Sequence, residues 1–146
     1  AASDVYKRQV SRITIEVLAD DKQINLLSNQ LRKLLPVHSV KLLHPENAIR
    51  RELILIKVSV PTSEIGNRVI QIANIFRASI IDVSATTLTL AMIGEESKAS
   101  AIENLVKEFG ILELVRTGMI ALERGKYTID EDTKEKGEFN YGKHVL

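Results

Sequence analysis

The chain has 146 residues, enough for one ordinary domain or two very small ones. Its hydrophobic content of 45% and charged content of 27% are usual for a globular protein, and no apolar run is long enough for a membrane-spanning helix. The formal net charge of +1 gives no bulk attraction to nucleic acid, and the absence of cysteine excludes disulfides, thiol catalysis and cysteine-based zinc sites.

The N-terminal residues 1–9 show no hydrophobic periodicity. The stretch SDVYKRQ resembles the translation of an adapter end used in preparing sequencing libraries, so we expect residues 1–9 to be an artificial extension.

Residues 10–43 carry a β-α-β pattern. Alternation predicts a strand over 10–19, and the pair Asp20 and Asp21 favours a helix start. An apolar stripe at helical spacing runs on to Pro36, and a short strand is predicted over 37–43. Because such a unit leaves strand edges and apolar surface open, we expect it to be marginal alone or to dock against another domain or chain.

Residues 51–125 carry the pattern of a complete small domain, preceded by a polar linker over 44–50 and followed by a polar tail over 126–146, expected to be flexible. Helix caps, alternation and glycine stops predict the following elements: a strand over 51–60, a helix over 63–76 capped by Thr62 or Ser63, a hairpin of strands over 80–84 and 86–94, a helix over 95–109, and a strand over 111–122. The order β-α-β-β-α-β predicts an α+β, ferredoxin-like fold.

Three motifs in order resemble the C-terminal domain of the small, regulatory subunit of acetolactate synthase, also called acetohydroxyacid synthase. They are RELILIKV at 51–58, IFRASIIDV at 75–83 and FGILELVRTGMIALERG at 109–125. Residues 10–43 resemble the second half of that family's N-terminal ACT domain, so the resemblance implies a chain truncated within its ACT domain.

The resemblance implies a non-catalytic subunit with no cofactor of its own. Its expected partners are the thiamine-diphosphate-dependent catalytic (large) subunit, which it activates, and a second copy of itself. In the intact parent it implies feedback inhibition by a branched-chain amino acid, usually valine, and a place in valine, leucine and isoleucine biosynthesis. The family's valine-site motif belongs to the half-domain that has no match here, so no effector-binding residue is assigned. The implied location is the cytoplasm, or the plastid in a plant or alga.

Three charged residues are candidate sites, each with two interpretations. Arg77 and Asp82 flank the apolar run ASII; they either pair to fix the corner between helix and strand or meet the catalytic subunit. The pairing is favoured, because an arginine in the last turn of a helix complements the helix dipole. Arg116 shares a strand face with apolar residues and needs a partner, either Glu52, Glu113 or an acidic group on another chain.

Other functions receive less support. The three histidines are too scattered for a metal site, no catalytic motif is present, and neither membrane nor nucleic-acid binding is expected, because the predicted strands lack base-stacking aromatics. The main alternative is a stand-alone ACT-like domain that senses a small molecule or binds another protein; as a sensor it would need an effector pocket within 51–125.

Overall fold

The computed structural model describes the backbone of residues 2–4 and all of residues 10–129. Its strands and helices are, in chain order, β1 Ala2–Asp4, β2 Ser11–Ile13, α1 Asp21–Arg32, β3 Ala48–Ser59, α2 Ser63–Phe76, β4 Ser79–Val83, β5 Thr87–Gly94, α3 Glu96–Val106, β6 Ile111–Arg116 and β7 Ile120–Glu123. Short 3-10 turns cover Pro45–Asn47 and Lys107–Phe109.

Contacts divide the chain into two compact units. The first joins the residues up to Ile13 with Arg51–Ile120, and the second joins Thr14–Arg50 with the chain from Ala121 onward. The boundary between Arg50 and Arg51 therefore falls inside β3.

The first unit contains the ferredoxin-like arrangement. The strands lie in the order β4-β5-β3-β6, each antiparallel to its neighbours, and β7 also pairs with β3. The predicted β-α-β-β-α-β order is confirmed by β3, α2, β4, β5, α3 and β6. β3 lies inside the sheet, between β5 and β6.

One face of this sheet forms the core with α2 and α3. Alternate residues of β3 and β5 are buried together with three residues of α3 and two of α2; the most enclosed large side chains are Ile54, Ile56, Leu90, Ile102, Val58, Val69 and Val106. Thr62 caps α2, its Oγ1 accepting from the Ile65 amide at 3.2 Å. Leu105 of α3 is half exposed, because the face of α3 that packs on the sheet is centred on Ala99, Ile102 and Val106.

The strand predicted over 111–122 is two strands. β6 ends at Arg116 and β7 begins at Ile120, and between them Gly118 has a φ of +77°, which breaks the extended conformation. Thr117 holds this break against β3: its amide donates to the Leu53 carbonyl and its Oγ1 accepts from the Leu53 amide, both at 3.1 Å.

The predictions for residues 10–43 are only partly right. The strand expected over 10–19 is limited to β2, which pairs with β1. Asp20 caps α1 in a capping box with Gln23, as the acidic pair suggested, but the helix ends at Arg32, before Pro36.

The strand expected over 37–43 is absent from the described chain. A strand requires a neighbour for its backbone groups. Instead of a neighbouring strand, the Val40 carbonyl has the Arg32 guanidinium, which donates to it at 3.3 Å. Lys41 Nζ lies 2.8 Å from Glu123 Oε1 and donates to the Thr128 carbonyl at 2.7 Å.

The second unit has few enclosed side chains. Of its described residues only Ser28 and Ala48 are buried, whereas several large aliphatic residues are exposed: Ile15, Val17, Leu18, Leu26, Leu34, Leu35 and Leu122. The predicted linker 44–50 contains the turn Pro45–Asn47 and the first three residues of β3. The expectation for residues 1–9 falls outside the described residues except for the backbone of β1, and that for the tail falls outside them from residue 130 onward.

Candidate functional site

Arg116 is the centre of a charged network at one end of the first unit. It closes β6, and its guanidinium makes two parallel hydrogen bonds to Glu52 of β3, Nε to Oε1 at 2.9 Å and Nη2 to Oε2 at 2.7 Å. Its remaining nitrogen, Nη1, donates to Glu103 at 3.3 Å and to Ser100 at 3.4 Å, both on α3. One arginine therefore ties two strands and a helix together.

The network places a carboxylate in the interior. Glu52 is buried, and the hydrogen bonds from Arg116 hold its pKa below the usual range against the opposing effect of burial. The hydrogen bond to Glu52 also raises the pKa of Arg116, and Glu103 adds a smaller effect in the same direction. Both groups are charged and satisfied by each other, so the pair is suited to holding structure rather than to proton transfer.

Of the two carboxylates considered for Arg116, the structure brings Glu52 to it and not Glu113. Glu113 lies three residues before Arg116 on β6 and faces the other side of the sheet, opposite Lys57. The choice follows from the register between β3 and β6.

The structure does not bring Arg77 and Asp82 together. Within the described part of the chain, neither side chain has a hydrogen bond or ion pair, and both are exposed. Arg77 ends α2 in the left-handed conformation, with φ +55°, while its amide bonds to the Asn74 and Ala73 carbonyls. Asp82 lies on β4 opposite Thr89 of β5. The favoured pairing at the corner is therefore not formed; contact with another chain stays a prediction.

The sheet face that points away from the helices carries exposed aliphatic side chains, a feature that sequence reasoning missed. We call this the open sheet face; its aliphatic members are Leu53, Leu55, Ala91, Ile93 and Val115. Ile93 is 66% exposed and Val115 is 52% exposed. The available signal in the sequence is the alternation in RELILIKV, which places Leu53 and Leu55 on the strand face opposite Ile54 and Ile56. Contiguous exposed apolar groups of this kind mark binding surfaces.

A shallow cavity of about 250 Å³ lies at the start of α3, lined by Arg51, Ile93, Gly94, Glu95, Ser97 and Lys98. Arg51 spans it to reach Glu95 at 3.3 Å. Its lining is mostly polar or charged and offers one aliphatic side chain, so it is a poor fit for a branched apolar ligand.

Two kinds of feature are absent from the residues that the structure describes. No three acidic or histidine side chains there gather closely enough to hold a metal ion. None of the helices there is both long and apolar enough to cross a membrane.

Comparison with known proteins places this geometry in a family. Residues 51–125 match the family model described as the small subunit of acetolactate synthase. The acetolactate synthase small subunit of Aquifex aeolicus is 38% identical over 135 residues, covering 92% of this chain and 70% of that protein. The chloroplastic acetolactate synthase small subunit 2 of Arabidopsis thaliana is 39% identical over 124 residues, covering 85% of this chain and 26% of that protein.

A solved structure agrees in fold. The crystal structure of the acetolactate synthase small subunit from Thermotoga maritima superposes with a TM-score of 0.79 at 34% identity, covering 86% of this chain and 78% of that one. With a family model matched over residues 51–125 and a relative of which most is covered at 38% identity, this chain belongs to the family of the small subunit of acetolactate synthase.

Proposed function

We propose that the chain is a non-catalytic regulatory subunit that binds the catalytic subunit of acetolactate synthase and raises its activity in branched-chain amino acid biosynthesis. The observation that carries this proposal is the family match over residues 51–125, which covers the ferredoxin-like arrangement from the fourth residue of β3 to the end of β6. The role of the subunit is to favour one state of the catalytic subunit by binding that state more tightly.

The open sheet face is the surface we assign to the catalytic subunit. Leu53, Ile93 and Val115 are exposed side by side on neighbouring strands, and burying them against a partner would remove apolar area from water. Lys57 and Glu113 lie opposite each other on the same face and give the contact a polar side.

In the intact parent, we propose that a branched-chain amino acid such as valine acts through this contact. The effector would shift the population of the bound states, which couples its own binding to that of the catalytic subunit. No residue of this chain is assigned to the effector, and the charged lining of the cavity at α3 supports leaving it unassigned.

The test is co-purification of the chain with a catalytic subunit of acetolactate synthase, with activity measured with and without valine. We expect binding and activation. If no complex forms and activity is unchanged, the proposed role is wrong.

Two glutamate substitutions then locate the contact. Ile93→Glu charges the open sheet face, whereas Leu105→Glu charges a comparably exposed aliphatic position on α3. Loss of binding in Ile93→Glu alone supports the assigned surface. Equal binding of both variants would overturn that surface while leaving the regulatory role standing.

The proposal also includes an oligomeric state and a cellular location. The subunit is expected to form a homodimer, since the sheet of the first unit ends in an exposed strand edge at β4. Its expected location is the cytoplasm, or the plastid if the chain comes from a plant or alga; the relative from Arabidopsis thaliana is described as chloroplastic.

A further inference from the structure

The two units of the chain differ in how much apolar surface each of them buries. The first unit has a continuous core of buried side chains, which includes Ile54, Leu90 and Ile102. Among the described residues of the second unit, only Ser28 and Ala48 are buried. Because buried apolar surface is the main source of stability, the free energy of opening should be much smaller for the second unit than for the first.

Beyond residue 14, the chain crosses between the units at two places, within β3 after Arg50 and within β7 after Ile120. On the side of the second unit, the Arg124 amide donates to the Asn47 carbonyl at 2.8 Å. Strand pairing alone is a weak barrier to an opening that starts at one end and runs along the strand, because each residue that separates regains its backbone entropy. An opening of the second unit therefore needs a stop if the first unit is to stay intact.

Three consecutive residues of β3 directly after the first crossing are each tied to another part of the first unit. We call them the β3 clasp; they are Arg51, Glu52 and Leu53. The first reaches Glu95 at the start of α3 at 3.3 Å. The second holds Arg116 of β6 through two parallel hydrogen bonds of 2.9 and 2.7 Å. The third exchanges two hydrogen bonds of 3.1 Å with Thr117.

The clasp lies between the crossing and the core of the first unit. An opening that runs along β3 from the second unit meets these three residues before it reaches Ile54. To pass them it must separate Glu52 from Arg116, and the Glu52 side chain is buried. Separating such a pair while α3 still covers it leaves a buried charge without its partner, which is strongly unfavourable.

We propose that the second unit opens and closes on its own, and that the β3 clasp stops this opening at the boundary. The first unit from Arg51 onward then stays folded while the second unit is open. Leu53 of the clasp also belongs to the open sheet face, so that face keeps its form in the opened chain. This inference rests on contacts within each unit and does not depend on the proposed function.

The experiment is amide hydrogen exchange of the full chain, followed residue by residue by NMR. Two amides serve as reporters, and both donate to backbone carbonyls. The Thr117 amide donates to Leu53 at 3.1 Å in the first unit, and the Arg124 amide donates to Asn47 at 2.8 Å in the second. We expect the protection factor of Arg124 to be at least about a hundredfold below that of Thr117, because a local opening exposes only the former.

Two helix caps, one in each unit, test whether the units open separately. Thr62 caps α2 in the first unit, and Asp20 caps α1 in the second. Thr62→Ala should lower the protection factor of Thr117 by about fivefold and leave that of Arg124 unchanged, because the opening of the second unit does not involve α2. Asp20→Ala should lower the protection factor of Arg124 by about fivefold.

A pair of isosteric variants tests the clasp. Thr117→Val removes the hydroxyl that accepts from the Leu53 amide, and it keeps the backbone bond from residue 117 to the Leu53 carbonyl. We expect the protection factor of the amide of residue 117 to fall by at least about fivefold, as the opening spreads past it. Thr89→Val is the control, since the buried Thr89 Oγ1 has no hydrogen-bond partner in the described part of the chain. It should leave residue 117 unchanged.

Three results would overturn the proposal. Equal protection of Thr117 and Arg124 in the original chain would show that the two units open together. A fall at both amides in Thr62→Ala, or no fall at Arg124 in Asp20→Ala, would show that the second unit is not a separate cooperative unit. An unchanged residue 117 in Thr117→Val would show that the opening is stopped elsewhere than at the clasp.

Discussion

Replacing Arg116 by methionine tests the charged network directly. Methionine keeps most of the aliphatic stem and removes the guanidinium, which leaves the Glu52 carboxylate buried without its partner. The Glu52 side chain is 3% exposed, whereas that of Arg116 is 25% exposed. Breaking a buried pair costs about 3–5 kcal/mol, and because water can approach the guanidinium side we expect the lower end, about 3 kcal/mol.

Substituting the other partner, Glu52, should lower the free energy of unfolding by less. Glu52→Gln removes the buried charge and leaves Arg116 partly solvated and still paired with Glu103 at 3.3 Å. We expect a loss of about 1 kcal/mol, the usual net value of a hydrogen bond. In Glu52→Gln/Arg116→Met no charge is left buried without a partner, so its free energy of unfolding should lie above that of Arg116→Met alone.

The cost of Arg116→Met should also depend on pH. In the original chain the pKa of Glu52 is lowered, so the stability it contributes is present above its unfolded pKa and is lost as the pH falls through its folded pKa. Without Arg116, burial alone acts and raises that pKa. Protonation of Glu52 as the pH falls then removes the cost of burying an unpaired charge in the variant. The difference in stability should therefore be largest near neutral pH and shrink in acid.

Urea unfolding at several pH values measures all three effects. A loss below about 1 kcal/mol for Arg116→Met, or a loss equal to that of Glu52→Gln, would refute the argument that burial of the carboxylate sets the cost. A difference that stays constant from neutral to acid pH would refute the assignment to Glu52.

Three further substitutions check the fold by the same unfolding measurement. Ile102→Ala empties a fully buried position and should cost about 3 kcal/mol, whereas Leu105→Ala, half exposed on the same helix, should cost less than about 1 kcal/mol; equal losses would contradict the placement of α3. Thr62→Ala should cost about 1 kcal/mol by removing the cap of α2, and Thr62→Ser should restore it. Gly118→Ala should cost about 1 kcal/mol from its positive φ alone, because the added methyl meets no atom within 4 Å; an unchanged stability would show that the break between β6 and β7 adapts freely.

Local patterns predicted the elements of the first unit well. The alternation of Ile54, Ile56 and Val58 and the helical spacing of Val69 and Ala73 identify core faces, because burial on one side of an element leaves a period in the sequence. The same patterns failed where the outcome depends on distant residues. Residues 37–43 have strand composition, yet a strand needs a ladder partner that composition cannot specify.

The candidate sites divide in the same way. Sequence reasoning found that Arg116 needs a carboxylate, but that Glu52 supplies it depends on the register between β3 and β6, which sets Ile54 opposite Arg116. The expected pair of Arg77 and Asp82 does not form, because the left-handed conformation of Arg77 and the course of β4 leave the two side chains apart. The sequence between these residues does not predict that backbone conformation.

The central position of β3 has a consequence for how the first unit folds. Its pairs with β6 join residues such as Ile54 and Arg116, which are far apart in the chain, while β4 and β5 meet across a short turn where the Ser84 hydroxyl accepts from the amides of Thr86 and Thr87. The entropy cost of closing a long loop comes before the contacts that the loop makes can stabilise the chain. Distant strands therefore pair slowly, and local hairpins form quickly. The β4–β5 hairpin can thus form early, whereas the sheet is complete only after the last strand has been synthesised. The exposed edge would then exist before the core beneath it is closed, and nascent chains at high density would be open to joining through β4 too soon.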